Sequence, residues 1–128
     1  MKEGHFSLRT ELDRSNIYVT KTLVTLVEYI RNDGHCPFAE WLENLDDQAA
    51  AKVVTTLERM KAGNFGDHMS VGRGVLERRI HFGPGYRVYF GRDGDTLVVL
   101  VGGGTKSRQN ADIKRAQETW AEYQATKN

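Results

Sequence analysis

The chain has 128 residues, 39% hydrophobic and 27% charged, with two prolines and a single cysteine. That length suits one domain with a moderate core, and no apolar run reaches the ~18 residues of a membrane span. A polar N-terminus without an apolar h-region gives no secretory signal, and Cys36 alone leaves no intrachain disulfide and no cysteine-based zinc site. The expectation is a cytoplasmic protein with no membrane partner, metal or cofactor.

The net charge of +1 conceals a division along the chain. Residues 1–68 carry eight Lys/Arg against eleven Asp/Glu, whereas residues 69–110 carry Arg73, Arg78, Arg79, Arg87, Arg92, Lys106 and Arg108 against Glu77, Asp93 and Asp95. A polyanionic partner would meet the second of these segments.

In chain order, residues 1–20 show no period and read as an N-terminal extension, with the domain proper over 21–128. Thr22 to Ile30, rich in Val, Leu, Thr and Tyr, reads as a strand. After the turn Asn32-Asp33-Gly34-His35, Pro37 opens a short helix with Phe38, Trp41, Leu42 and Leu45 on one face. Asp46 caps a longer helix with the apolar stripe Ala50, Val53, Val54, Leu57 and Met60, ended by Gly63-Asn64. Two helices joined this tightly form an antiparallel hairpin.

Three strands follow, Val75 to Phe82, Tyr86 to Arg92 and Thr96 to Val101, joined by Gly83-Pro84-Gly85 and Asp93-Gly94-Asp95. The last is apolar at almost every position and belongs in the middle of a sheet. Gly102-Gly103-Gly104 is expected to break the ladder, and a final helix runs from about Ser107 with Ile113, Ala116, Trp120 and Tyr123 at helical spacing. The order β-α-α-β-β-β-α predicts an α+β fold, a mostly antiparallel twisted sheet with helices on one face and the other partly open.

Strand alternation aims the polar residues. Ile80 and Phe82 mark one side of their strand as core, which sends Glu77, Arg79 and His81 to the open face; Arg87 and Tyr89 share the corresponding side of the next strand. Taken singly, each has an ordinary reading: a surface ion pair for Glu77 and Arg79, a surface histidine, tyrosines that cover the sheet. The segment Val101 to Ser107 fails the pattern G-x-x-x-x-G-K-[ST], so a nucleotide-hydrolysing loop is not expected. Its exposed amides and Lys106 at a helix start still suit a phosphate, as well as a simple glycine hinge.

Several segments, in this order, resemble one family: Trp41-Leu42, Leu57-Glu58-Arg59, Gly63-Asn64-Phe65-Gly66-Asp67, then Ile80 through Phe90 with its Gly-Pro-Gly-Tyr-Arg-Val-Tyr-Phe run, then Gly102-Gly103-Gly104-Thr105-Lys106-Ser107. The chain over about residues 22–124 is similar to the HigB-like addiction module killer branch of the RelE/ParE toxins. The resemblance implies a RelE-like fold, a cognate antitoxin of helix-turn-helix type, and cleavage of mRNA at the ribosome that stops translation. It assigns phosphate contacts to Arg87, Lys106 and Arg79. It also departs from RelE, which has paired lysines where this chain has Glu77 and Arg79, and an early tyrosine in its last region where Gln109 to Ile113 has no aromatic.

The implied chemistry is attack of a ribose 2′-hydroxyl on the adjacent phosphorus. Arg87, Lys106 and Arg79 offset charge on the phosphoryl oxygens. Arginine is a poor base, so Glu77 or His81 moves the proton. Tyr86 or Tyr89 stacks on a base, for about 1–3 kcal/mol, and Arg73 and Arg108 extend the RNA-binding surface. The same fold also admits a gyrase inhibitor like ParE, or an inactive module that only binds an antitoxin.

Overall fold

The computed structural model describes residues 7–12 and 18–127. Strands β1 (Ser7–Leu12) and β2 (Tyr18–Leu23) pair antiparallel as a separate two-stranded sheet. They are followed by β3 (Thr25–Glu28), α1 (Pro37–Glu43), α2 (Asp47–Lys61), β4 (His68–Ser70), β5 (Leu76–Ile80), β6 (Tyr86–Asp93), β7 (Leu97–Thr105), a 3₁₀ turn (Lys106–Arg108) and α3 (Gln109–Ala125). The main sheet has the order β3-β7-β6-β5-β4. Only β3 with β7 is parallel; the other three pairs are antiparallel. The expected α+β class, the helices before and after the strands, and the inner position of β7 are all present.

Three local expectations are corrected. The N-terminal segment, whose sequence shows no period, contains β1 and the first half of β2. The strand expected from Thr22 to Ile30 is broken at buried Val24, whose amide donates to the Lys61 carbonyl at the end of α2 (3.0 Å). The glycines 102–104 do not end β7 but continue it to Thr105. Their lack of side chains lets neighbours approach closely: a Cβ on Gly103 would strike the Trp41 ring, and one on Gly104 the Asp112 carboxylate.

The sheet carries a core on each face. On one side Phe38, Ala49, Val53 and Met60 from α1 and α2 pack on Ile80, Tyr86, Val88, Phe90, Val98 and Leu100. The Asp46 side chain accepts from the Ala49 amide (2.9 Å) and fixes the start of α2, a cap worth about 1 kcal/mol. The buried stripe of α2 is Ala49, Val53, Thr56 and Met60, while Val54 is exposed. On the other side α3 lays Ala116 and Trp120, with Ile113 and Tyr123, over Val75, Tyr89, Val99 and Val101. That face is therefore not left open along its length: two-sided burial of β7 demands a cover, and α3 supplies it. What stays uncovered is the end of the sheet beyond the N-terminus of α3.

Candidate functional site

At that end, β5 and β6 set polar side chains opposite one another. The register places Glu77 against Tyr89 and Arg79 against Arg87, and all four point to the α3 side, as the alternation predicts. Glu77 is fully buried. Its Oε2 accepts from Tyr89 Oη (3.0 Å) and from Gln109 Nε2 (2.8 Å), the first residue of α3. Its Oε1 accepts from Arg79 Nε (3.3 Å). Arg87 Nε lies 3.5 Å from Glu77 Oε2, an ion-pair distance and not a well-formed hydrogen bond.

A buried carboxylate is costly unless it is paired and hydrogen-bonded, and here two arginines, a phenol and an amide meet that requirement. The same crowding acts on Tyr89: burial, then the Glu77 charge beside it, pushes its phenol well above the ordinary tyrosine range.

Arg87 itself is nine-tenths buried, yet its Nε and Nη1 have no hydrogen-bond partner. Buried guanidinium donors without acceptors are unusual; Nε faces Glu77, and Nη1 lies beside the Gly85 turn. A Cβ at Gly85 would sit 3.8 Å from Arg87 Nη1 and 3.9 Å from Lys106 Cβ. Glycine, with φ +85°, thus keeps a side chain out of the space between the Arg87 guanidinium and the Lys106 Cβ. The turn is tied to the end of β7 by the Lys106 amide, which donates to the Gly85 carbonyl (3.2 Å).

His81 lies just past β5 with its side chain 75% exposed, and its Nε2 is 2.6 Å from Asp67 Oδ2. That bond, with the charges of Arg79, His81 and Arg78, holds the Asp67 carboxyl below the usual range. The Asp67 carbonyl also accepts from the Arg79 amide (2.9 Å), which ties the histidine pair to the arginine strand.

The remaining expected residues are distributed differently. Tyr86 is buried on the opposite face beside Trp41, ring centroids 6.5 Å apart, and Tyr89 is buried under α3. Neither offers an open ring for a base. Arg73, exposed and at φ 56°, sits in the turn between β4 and β5 and lines a shallow cavity with Lys114, Gln117 and Ala121 on α3, away from the Glu77 cluster. Arg108 is exposed on the 3₁₀ turn and faces a separate groove beside Gly104 and Thr105. Arg78, placed by alternation on the core side, directs its guanidinium over Gly66.

Gln109 and Asp67 were not singled out from the sequence. They lie 32 and 14 residues from their partners, and no spacing pattern links them. Among the described residues no cluster of His, Cys, Asp and Glu has the form of a metal site, and no helix is long and apolar enough to cross a membrane.

The Gp49-like phage-derived protein family (DUF891) matches residues 40–121, from α1 through most of α3. The chain belongs to this family. It is a family of RelE/HigB-like toxins, associated with toxin–antitoxin systems, and membership implies an antitoxin partner. A protein of Haemophilus influenzae, described as uncharacterized, is 46% identical over 81 residues, which cover 62% of this chain and 82% of that protein. No solved structure matches the chain. The matched region of the Gp49-like chain contains every site residue discussed above and excludes β1, β2 and β3.

Proposed function

We propose that this protein is the toxin of a type II toxin–antitoxin pair and acts as an endoribonuclease on ribosome-bound mRNA, neutralised by a cognate antitoxin. The observation that carries this reading is Arg87: a buried guanidinium with two donors unsatisfied, beside Lys106 and opposite Arg79. A phosphodiester seated at Gly85 offers Nη1 the anionic oxygen it lacks, through a charge-assisted hydrogen bond, while Nε faces Glu77.

In this scheme the 2′-hydroxyl oxygen of the RNA attacks the adjacent phosphorus and the bond from phosphorus to the 5′-oxygen breaks. The products are a 2′,3′-cyclic phosphate and a 5′-hydroxyl. The RNA supplies its own nucleophile. Arg87, Arg79 and Lys106 stabilise the charge that grows on the phosphoryl oxygens. His81 takes the proton of the attacking hydroxyl, oriented by Asp67, and the leaving oxygen gains a proton from water. Glu77 does not move the proton, because it is shielded from solvent and both its oxygens are engaged. It holds Arg79 and Arg87 in place.

The test is cleavage of a defined mRNA on purified ribosomes. The Arg87→Ala/Lys106→Ala pair is expected to lose activity by at least about a hundredfold, and His81→Asn by a similar factor. Full activity in the double variant would refute the assignment.

A further inference from the structure

Each oxygen of a carboxylate accepts roughly two hydrogen bonds, one at each lone pair. On Glu77 Oε2 both places are taken, by Tyr89 Oη (3.0 Å) and Gln109 Nε2 (2.8 Å). Arg87 Nε faces the same oxygen but stops at 3.5 Å, without a hydrogen bond. A charged donor on a carboxylate outweighs a neutral one, so the arginine does not yield the oxygen for lack of attraction. It yields it to geometry. Tyr89 is fully buried and fixed in the ladder directly opposite Glu77, and Gln109 is set by the start of α3. Burial, then the Glu77 charge, raises the Tyr89 phenol and keeps it a donor. Nη1 of Arg87 meets no acceptor either. The buried guanidinium is held beside its counterion without being locked to it.

We propose that Tyr89 and Gln109 are positioning residues: by occupying Glu77 Oε2 they hold Arg87 short of a closed ion pair and leave its guanidinium able to take an oxyanion at the Gly85 turn. The inference rests on the reading that Arg87 binds phosphate, and it adds how that capacity is kept. A closed pair between Glu77 and Arg87 would be the more stable arrangement of the free protein. It would also be the poorer phosphate site, because the guanidinium would be drawn toward Glu77 and its charge neutralised there. Tyr89 and Gln109 thus exchange stability for binding, a trade common at functional sites. It follows that a tyrosine too deeply buried to stack on a base still acts on the site, through its hydroxyl.

The experiment removes one competitor at a time from the full chain, with Tyr89→Phe and Gln109→Met. In each variant Arg87 Nε can close on the vacated lone pair. Because Nε is buried, its proton exchanges slowly enough to follow by NMR, and its resonance is assigned by its loss in Arg87→Lys. With no ligand present, that resonance should move downfield in both variants. Orthophosphate, titrated and followed at the Gly85 amide, should bind the parent chain saturably. Each variant should bind it about tenfold more weakly, the difference expected for one charge-assisted hydrogen bond formed in competition. The urea unfolding midpoint should hold or rise, whereas loss of a merely structural bond would lower it.

An Arg87 resonance that stays in place in both variants, phosphate affinity equal to the parent's, a parent chain without saturable phosphate binding, or a lower midpoint in both variants would each overturn the proposal. The assay contains neither ribosome nor mRNA. A parent chain that behaves as expected here and leaves ribosome-bound mRNA intact would refute the nuclease reading alone.

Discussion

Arg79 and Arg87 stand directly opposite each other across β5 and β6, and one buried carboxylate, Glu77, serves both. Without it two guanidiniums would repel across a ladder pair, with Arg87 left charged inside the protein. Breaking a buried pair by removing one partner costs about 3–5 kcal/mol, so Glu77→Ala should lose that much in urea unfolding. Arg79 is 34% exposed, and Arg79→Ala should cost about 1 kcal/mol or less. Equal stability of Glu77→Ala and the parent chain would show that the carboxylate does not hold the arginines.

Two neighbouring glycines should respond unequally to the same change. A methyl group at Gly103 collides with the Trp41 ring, while one at Gly102 meets nothing within 4 Å. Overpacking costs about 1–3 kcal/mol, so Gly103→Ala should lower the unfolding midpoint. Gly102→Ala should change stability by about 0.5 kcal/mol or less. Reversed ranking would place Trp41 elsewhere than on β7.

Acid should loosen the contact between α3 and the rest of the fold. The Asn32 amide, then the Tyr29 hydroxyl and Arg31, hold the Glu122 carboxyl below its ordinary value of 4.5. Lys127 and the Tyr123 hydroxyl lower that of Asp93. A carboxyl depressed in the folded state contributes stability above its unfolded-state value, and the contribution disappears as pH falls through the folded one. Thermal midpoints should be flat above about pH 5 and fall below it. Glu122→Gln should lower the neutral-pH midpoint and flatten the acid slope; an unchanged slope would mean that Glu122 makes no differential contribution.

Tyr123 gives a spectroscopic check on the same corner. Burial, then its bond to Asp93, pushes its phenol up to about 12, against an ordinary value of about 10. Ultraviolet titration should show one tyrosine ionising in that upper range. Asp93→Asn should bring it down, because the neighbouring negative charge is gone. No movement would assign the upper titration to another phenol, such as Tyr89.

Much of the fold was legible because local chemistry repeats at the period of its element. Phe38, Trp41, Leu42 and Leu45 announce α1, Asp46 its successor, and the turns Gly83-Pro84-Gly85 and Asp93-Gly94-Asp95 the pairing of β5, β6 and β7. The hairpin of β1 and β2 was not legible, since Ser7–Leu12 lacks apolar alternation, nor was β4, three exposed residues with nothing to bury. Alternation put Glu77, Arg79, Arg87 and Tyr89 on one side of the sheet. It could not say that α3 would cover that side.

The sequence by itself determined the α+β order, the side of the strands on which the charged residues lie, and the concentration of positive charge in residues 69–110. Only the tertiary structure decided which of them are exposed. Alternation sets direction along a strand, a local property, whereas burial depends on what packs above it from a distant part of the chain. By closing over the sheet, α3 made Glu77 a counterion and Tyr89 a core residue. It left His81 and Lys106 at the uncovered end and Arg73 on a separate surface.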